Sequence, residues 1–248
     1  MSFKTKVLAA AATLTVVGGV GAAGALTAGT ASAATPSCGS SCIDVFSKQF
    51  GTHAHPNYVV DVLRQGEKAG QPVILFRTAN YDPAEDFTVA FQGTVSDFYA
   101  AGMVSSAVNL HYGGGATGFP DDPAFENEYA PFGVDSGLCL GVATTAIQGE
   151  GVTLQPCGVS SKTVWILDYL DSWSTFIHGG YVPLINGSDT NFSHPYVLTY
   201  PTNAHPTDMP RPQLTVTQLT GFSNGFGGPE LGTVNSNQLW GANFGVLH

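Results

Sequence analysis

The chain alternates apolar and polar residues in short bursts set between glycine- and serine-containing turns. Two such bursts lie between Gly137 and Trp165: Leu138-Cys139-Leu140-Gly141-Val142 and Val152-Thr153-Leu154-Gln155-Pro156-Cys157. A polar turn separates them and a tryptophan follows them. Period-two alternation bounded by turn formers predicts half-buried strands, and the pair predicts a hairpin. In a hairpin Cys139 and Cys157 can face each other and bond, which in the chain-entropy model stabilises a loop of this size by roughly 3 kcal/mol.

The same three beats recur twice. Upstream, Val59-Val60-Asp61-Val62 leads through the turn Gln65 to Gly70 into Val73-Ile74-Leu75-Phe76 and then to Phe87. Downstream, Val197-Leu198-Thr199-Tyr200 leads to Leu214-Thr215-Val216 and then to Gln238-Leu239-Trp240. The closing aromatics Phe87, Trp165 and Trp240 lie 78 and 75 residues apart. Three copies of one unit, none able to bury its apolar face alone, imply a single shared core. Around these hairpins, Ile43 to Phe50 opens the first lobe and Phe87 to Gly93 closes it. Glu128 to Val134 opens the second, and Trp165 with Ile166 to Leu170 closes it. Tyr181 to Asn186 opens the third and Trp240 to Leu247 closes it. The lobes therefore fall near 43–110, 128–172 and 180–248. The long connection from Thr94 to Asn127 reads as a short helix or a strand pair over Ser96 to Asn109, and as a loop thereafter. Insertions of this kind cost little loop entropy.

The repeated pattern Cys-Leu-x-Val, Val-x-Leu-x-x-Cys and Gln-x-Trp resembles the ricin-type lectin family. Copy two carries both cysteines and the tryptophan, with Thr163 in place of the glutamine. Copy three carries Gln238-Leu239-Trp240 preceded by Asn237, and copy one has Glu85-Asp86-Phe87 instead. The resemblance implies an all-β protein, a β-trefoil of three pseudo-repeats with long insertions, that binds carbohydrate without catalysis. In that family each lobe offers an aspartate on its second strand, an aromatic on its third and an Asn-Gln pair near the tryptophan. Neutral sugars present hydroxyls and one C–H face, so a site needs those types together.

Carried over by position, lobe one keeps Asp61 and Phe76 and has Glu85 for the glutamine. Lobe two has Gly141, Gln155 and Lys162-Thr163. Lobe three keeps Asn237 and Gln238 but has Thr199 and Thr217 for the aspartate and the aromatic. The resemblance thus implies sugar contacts at Asp61, Phe76, Glu85, Asn237 and Gln238, with lobe one as the family-type site. A scaffold reading stands beside it: Asp61 bonds the following turn, Phe76 lies in the core, and Gln238 ties adjacent loops. A second functional reading is a protein-binding trefoil, such as an inhibitor of extracellular proteases presenting a loop from Asp121 to Pro131.

Lys4 and Lys6, an apolar run from Val7 to Ala28 and the small residues Ala31-Ser32-Ala33 have the form of a secretory signal over residues 1–33. Its apolar part is long, so an uncleaved anchor is the alternative. Export places the chain outside the cell, with residues 34–42 as a tail and 43–248 as the domain. No later stretch approaches the roughly 20 apolar residues of a spanning helix. Of 8 Lys+Arg and 18 Asp+Glu, the signal holds two lysines, leaving 6 basic residues against 18 acidic and a net charge of −12. Such a chain repels nucleic acid and anionic membranes, so the partners expected are a glycan or polysaccharide, or an extracellular protein.

Four cysteines in an exported chain read as two disulfides with three connectivities. The hairpin selects Cys139 with Cys157 and leaves Cys38 with Cys42; otherwise the N-terminal pair stays reduced or staples the tail elsewhere. His53 and His55 share a strand face on which a metal could sit, but Pro56 follows and no third ligand is near, so a loop is expected and no cofactor. Asp168 with Asp171, and Asp121-Asp122 with Glu126 and Glu128, pair carboxylates on single segments, whereas glycoside hydrolysis sets them across a cleft. With no nucleophile elbow, metalloprotease helix or phosphate loop, no enzyme is expected. Asn186 and Asn191 begin glycosylation sequons.

Overall fold

A computed structural model describes residues 42–79, 82–114, 121–167, 180–220 and 234–244, all within the unit Thr35–His248. The signal segment, Cys38, the pair Asp168 and Asp171, and the end of the closing strand beyond 244 lie outside the described residues.

Twelve strands are present among the described residues, four to a lobe. Lobe one holds β1 (Ile43–Ser47), β2 (Tyr58–Val62), β3 (Val73–Arg77) and β4 (Phe87–Thr94). Lobe two holds β5 (Pro123–Tyr129), β6 (Leu138–Val142), β7 (Glu150–Pro156) and β8 (Trp165–Ile166). Lobe three holds β9 (Ile185–Asn186), β10 (Tyr196–Thr199), β11 (Thr215–Gln218) and β12 (Trp240–Phe244). In each lobe the middle two strands pair as an antiparallel hairpin.

The outer strands form the barrel. β1 pairs with β12, β4 with β5, β5 with β8 and β8 with β9. A bridge from Val182 to Trp240 joins the third-lobe entry to β12, and β4 packs beside β1. The hairpins are tied to one another around the axis by bridges Pro72 to Thr153, Ile74 to Gln213 and Thr215 to Gly151. This pairing is that of a β-trefoil.

Phe87, Trp165 and Trp240 meet in one core, with Val60, Leu75, Leu140, Leu154, Leu198 and Val216 from the hairpins. The two indoles are held alike: Trp165 Nε1 donates to Leu140 O at 2.9 Å and Trp240 Nε1 to Leu198 O at 2.8 Å. A buried Trp N–H needs a partner, and each hairpin supplies one at the same strand position. Phe87 has no donor, and lobe one closes without such a bond.

A second apolar cluster lies on the outer face. Phe46, Val59, Val164, Ile166, Ile185 and Val197 point away from the barrel axis and meet Phe98, Val108 and Tyr112 of the insertion after β4. That insertion forms two helices, α1 (Val95–Ala100) and α2 (Ser106–Tyr112). Thr94 and Asp97 make a capping box at the start of α1, and Ser105 caps α2. Of the two expectations for this stretch, the helical one is met, as a pair.

The second lobe opens earlier than its sequence pattern indicates. β5 starts at Pro123, opposite Thr94, and runs to Tyr129, opposite Phe87, after which the Ala130 N–H donates to Asp86 O. Proline is tolerated there because a first strand residue need not donate to the ladder. The segment proposed as an inhibitory loop, Asp121 to Pro131, is therefore largely a paired barrel strand.

Cys139 and Cys157 are bonded, with Cα atoms 5.0 Å apart. Direct register places Cys139 opposite Gln155, so the bridge runs diagonally to a residue just past β7. Cys42 is also disulfide-bonded. Asn186 is fully buried and donates to Lys162 O, which removes it as a glycosylation acceptor in the folded chain. Among the described residues no helix is long and apolar enough to cross a membrane.

Candidate functional site

β2 and β3 set Val60, Val62, Val73 and Leu75 into the core and leave Asp61, Ile74 and Phe76 on the opposite face. Asp61 lies opposite Ile74 in the ladder, and Phe76 is two residues further along β3. After β2 the chain turns through Arg64 and Gln65, with φ of 59° and 54°. Left-handed backbone at two successive non-glycine residues costs on the order of 1 kcal/mol each. The turn brings Gln65 Nε2 to Asp82 Oδ1 at 3.1 Å.

Asp82 begins the 3₁₀ turn Pro83–Glu85, where its Oδ1 also accepts the Ala84 N–H at 3.0 Å. The turn ends at Glu85, whose Oε1 accepts the Ala79 N–H at 3.0 Å. Asp61, Asp82 and Glu85 each place a carboxylate oxygen within 4.8 Å of the others. Asp61 is 3% exposed and Glu85 1%. Burial pushes the Asp61 carboxyl up to about 8, with Asp82 adding to the shift and Arg211 opposing it. Burial likewise pushes Glu85 up to about 9, against the Ala79 N–H and with Asp61, Asp82 and Asp44 adding.

These groups line a cavity of about 470 Å³ whose walls are Asp61, Phe76 and Asp82, the turn Leu63 to Gln65, and Met209 and Arg211 from lobe three. Arg211 lies with its guanidinium carbon 5.0 Å from the Phe76 ring centre and donates from Nη1 to Pro206 O. Three of the five residues assigned to sugar contact thus come together. Asp61 and Phe76 line the cavity, and Glu85 joins the acidic cluster at its floor. The other two are elsewhere.

Asn237 and Gln238 lie in lobe three, 5% and 2% exposed, with their side chains engaged internally. Asn237 Nδ2 donates to Tyr200 O at 2.7 Å. Gln238 Nε2 donates to Gln218 O at 2.8 Å and Thr217 Oγ1 at 3.0 Å, and it reaches Thr199 Oγ1 at 3.4 Å. Its Oε1 accepts the Thr220 N–H at 2.9 Å and the Thr220 hydroxyl at 2.8 Å.

Lobe two is closed by packing. A side chain at Gly141, the aspartate position, would put its Cβ 2.7 Å from Lys162 O and 2.9 Å from Thr163 Cγ2. Gln155, at the aromatic position, bonds Thr153 Oγ1 at 2.8 Å. Thr163 bonds the buried Glu126.

Sequence reasoning missed Asp82, Gln65, Met209 and Arg211. Asp82 carries a local signal, an acidic residue before Pro83 that caps a turn. Arg211 carries none, because it reaches the pocket from a different lobe. His53 packs edge-to-face against Phe46 and at a tilt against Tyr181, and contacts Asn243 Oδ1 at 3.4 Å, in keeping with a loop role. A second cavity, of about 680 Å³, is walled by Val45, Val89, Phe125, Val182, Leu184 and Trp240 among other apolar residues. It offers a hydroxyl-rich ligand almost no hydrogen-bonding partner.

The described residues form a trefoil with a polar pocket in lobe one. No protein-family model and no curated protein sequence matches the chain. Among solved structures it is similar to ThreeFoil, a designed threefold-symmetric protein, at 14% identity and a TM-score of 0.47, over 82% of this chain and 97% of that one. It is similar to the BEL β-trefoil in an apo crystal form, at 14% identity and a TM-score of 0.39, over 82% and 92%. It is also similar to 1,3Gal43A, an exo-β-1,3-galactanase from Clostridium thermocellum, at 12% identity and a TM-score of 0.49. That match covers 82% of this chain and spans 30% of the galactanase. The trefoil assignment rests on the strand pairing itself.

Proposed function

We propose that the protein is a secreted, non-catalytic carbohydrate-binding trefoil that engages a saccharide through the lobe-one pocket alone. The observation that carries this reading is the meeting of Asp61 and Phe76, with Asp82 and Arg211, on the wall of one open cavity. The corresponding positions of lobes two and three are blocked or internally bonded. Carboxylate and amide oxygens accept from sugar hydroxyls, Arg64 and Arg211 donate to them, and Phe76 and Met209 supply apolar contact.

The absence of catalysis is part of the proposal. Its acidic groups crowd one wall, whereas glycosidases hold two carboxyls about 5–5.5 Å or about 6.5–9.5 Å apart on either side of the scissile bond. An exported chain also fits the disulfides, which persist in oxidising compartments.

The test is a glycan array probed with the full chain, followed by titration of the best ligand. Phe76→Ala is expected to weaken binding at least tenfold, while Gln155→Ala in the closed lobe leaves it unchanged. An array with no signal at high protein concentration, or equal binding by Phe76→Ala, would overturn the proposal.

A further inference from the structure

Glu85 and Gln238 end corresponding 3₁₀ turns, each two residues before its lobe's closing aromatic. Each side chain hands its Oε1 to a backbone N–H, from Ala79 and from Thr220. The second arm differs. In lobe three it is an amide NH₂ that donates to the hydroxyls of Thr199 and Thr217. In lobe one it is a second carboxylate oxygen, and the counterpart of Thr199 is Asp61. A donor has been exchanged for an acceptor, and a hydroxyl for a carboxylate, at the same point of the fold. Asp82 adds a third acid at this spot.

Asp61 is the telling member. It is 97% buried by the measure of its 3% exposure, its carboxylate faces the cavity, and no described residue donates a hydrogen bond to it. Arg211, a cation on the cavity wall, lies over the Phe76 ring and donates to Pro206 O. Burying a carboxylate that accepts no hydrogen bond and has only the partial offset of Arg211 is costly, and a cation among the three oxygens would relieve that cost.

We infer that Asp61, Asp82 and Glu85 bind a divalent cation of the calcium type at the floor of the lobe-one pocket. Carboxylates are hard oxygen donors, which suits calcium and magnesium. Two oxygens bound to one calcium at about 2.3–2.6 Å can stand up to about 5 Å apart, and magnesium at about 2.0–2.1 Å draws them to about 4 Å. The trio, spread within 4.8 Å, accommodates calcium as it stands. The remaining coordination positions face the cavity, where water or ligand hydroxyls complete the shell. This site does not require the saccharide reading, because the three oxygens are in place without a ligand.

The test uses the full chain treated with chelator and then titrated with calcium chloride at pH 8, with no glycan present, followed by calorimetry and thermal unfolding. One calcium per chain is expected, with a dissociation constant of about 10⁻⁴–10⁻³ M, in the range of extracellular modules, together with a rise in Tm. Magnesium chloride is expected to give a weaker response. Glu85→Gln, which installs the residue lobe three already carries, is expected to fold and to lose at least tenfold in calcium affinity. Asp82→Asn, at the half-buried edge, is expected to do the same. No heat and no Tm change at about 10 mM calcium, an equal response to magnesium, or an undiminished response in both variants would overturn the inference.

Discussion

The guanidinium of Arg211 lies 5.0 Å above the ring centre of Phe76, so a residue of the third lobe roofs the aromatic of the first. Such cation–π pairs contribute about 0.5–1 kcal/mol where partly exposed. Arg211→Ala is expected to lower unfolding stability by that amount, read as a shift of the urea midpoint at unchanged m-value. It should also weaken saccharide binding, because the pocket loses a donor. Full retention of both would separate Arg211 from the site.

The indole N–H of Trp240 ends on a buried backbone carbonyl of Leu198. Trp240→Phe removes the donor and leaves that oxygen unsatisfied, which costs about 1–3 kcal/mol plus a small packing defect. Guanidinium unfolding should show the same loss for Trp165→Phe, since the two bonds are equivalent. Unequal losses would break the symmetry argued for the core.

Gly141 is closed in by the turn at Lys162 and Thr163. Gly141→Ala forces a Cβ to 2.7 Å from a backbone oxygen, and backbone must move. Overpacking of this kind costs about 1–3 kcal/mol. Thermal unfolding that leaves the variant at wild-type stability would show that lobe two has room for a side chain after all.

The Cys139–Cys157 bridge closes a segment with a sequence separation of 18. Its replacement by two alanines is expected to cost about 3 kcal/mol through the unfolded state. The unfolding midpoint of the variant measures this directly, and a variant as stable as the wild type would remove the bridge from the account of stability.

In cation-free protein Asp61 and Glu85 titrate in the folded state near 8 and 9, far above their ordinary 3.8 and 4.5. The folded chain therefore holds more protons than the unfolded one between those limits, and stability falls as pH rises from about 4 to about 9. Asp82 and Asp44 strengthen the effect and Arg211 opposes it. Asp189 and Glu128, both raised by burial, act in the same direction. A flat profile from pH 5 to 8 in chelator would contradict it.

Much of this architecture is legible in the residues because strand alternation survives in the hairpins. Val60, Leu140 and Leu198 reach the core at matching positions, and three rings follow at near-equal spacing. The pattern fails where strands are buried on both faces. Every residue of β1 is buried, since Phe46 meets an outer layer while Val45 faces the barrel, so alternation there carries little information. Pro123 and the acidic run before it read as a turn, yet the ladder with β4 captures the chain from Pro123 onward. The site divides in the same way. Asp61, Phe76 and Glu85 belong to one lobe and one stretch of sequence, whereas Arg211 arrives by tertiary packing alone.

The blocked glycine at position 141 reaches beyond its own lobe. If the lobe-one pocket takes a saccharide as proposed, a molecule gripping through that lobe alone would coat a sugar surface and have no second grip with which to stitch two surfaces together. Failure of the chain to agglutinate glycan-coated beads that it nonetheless coats would be the expected result.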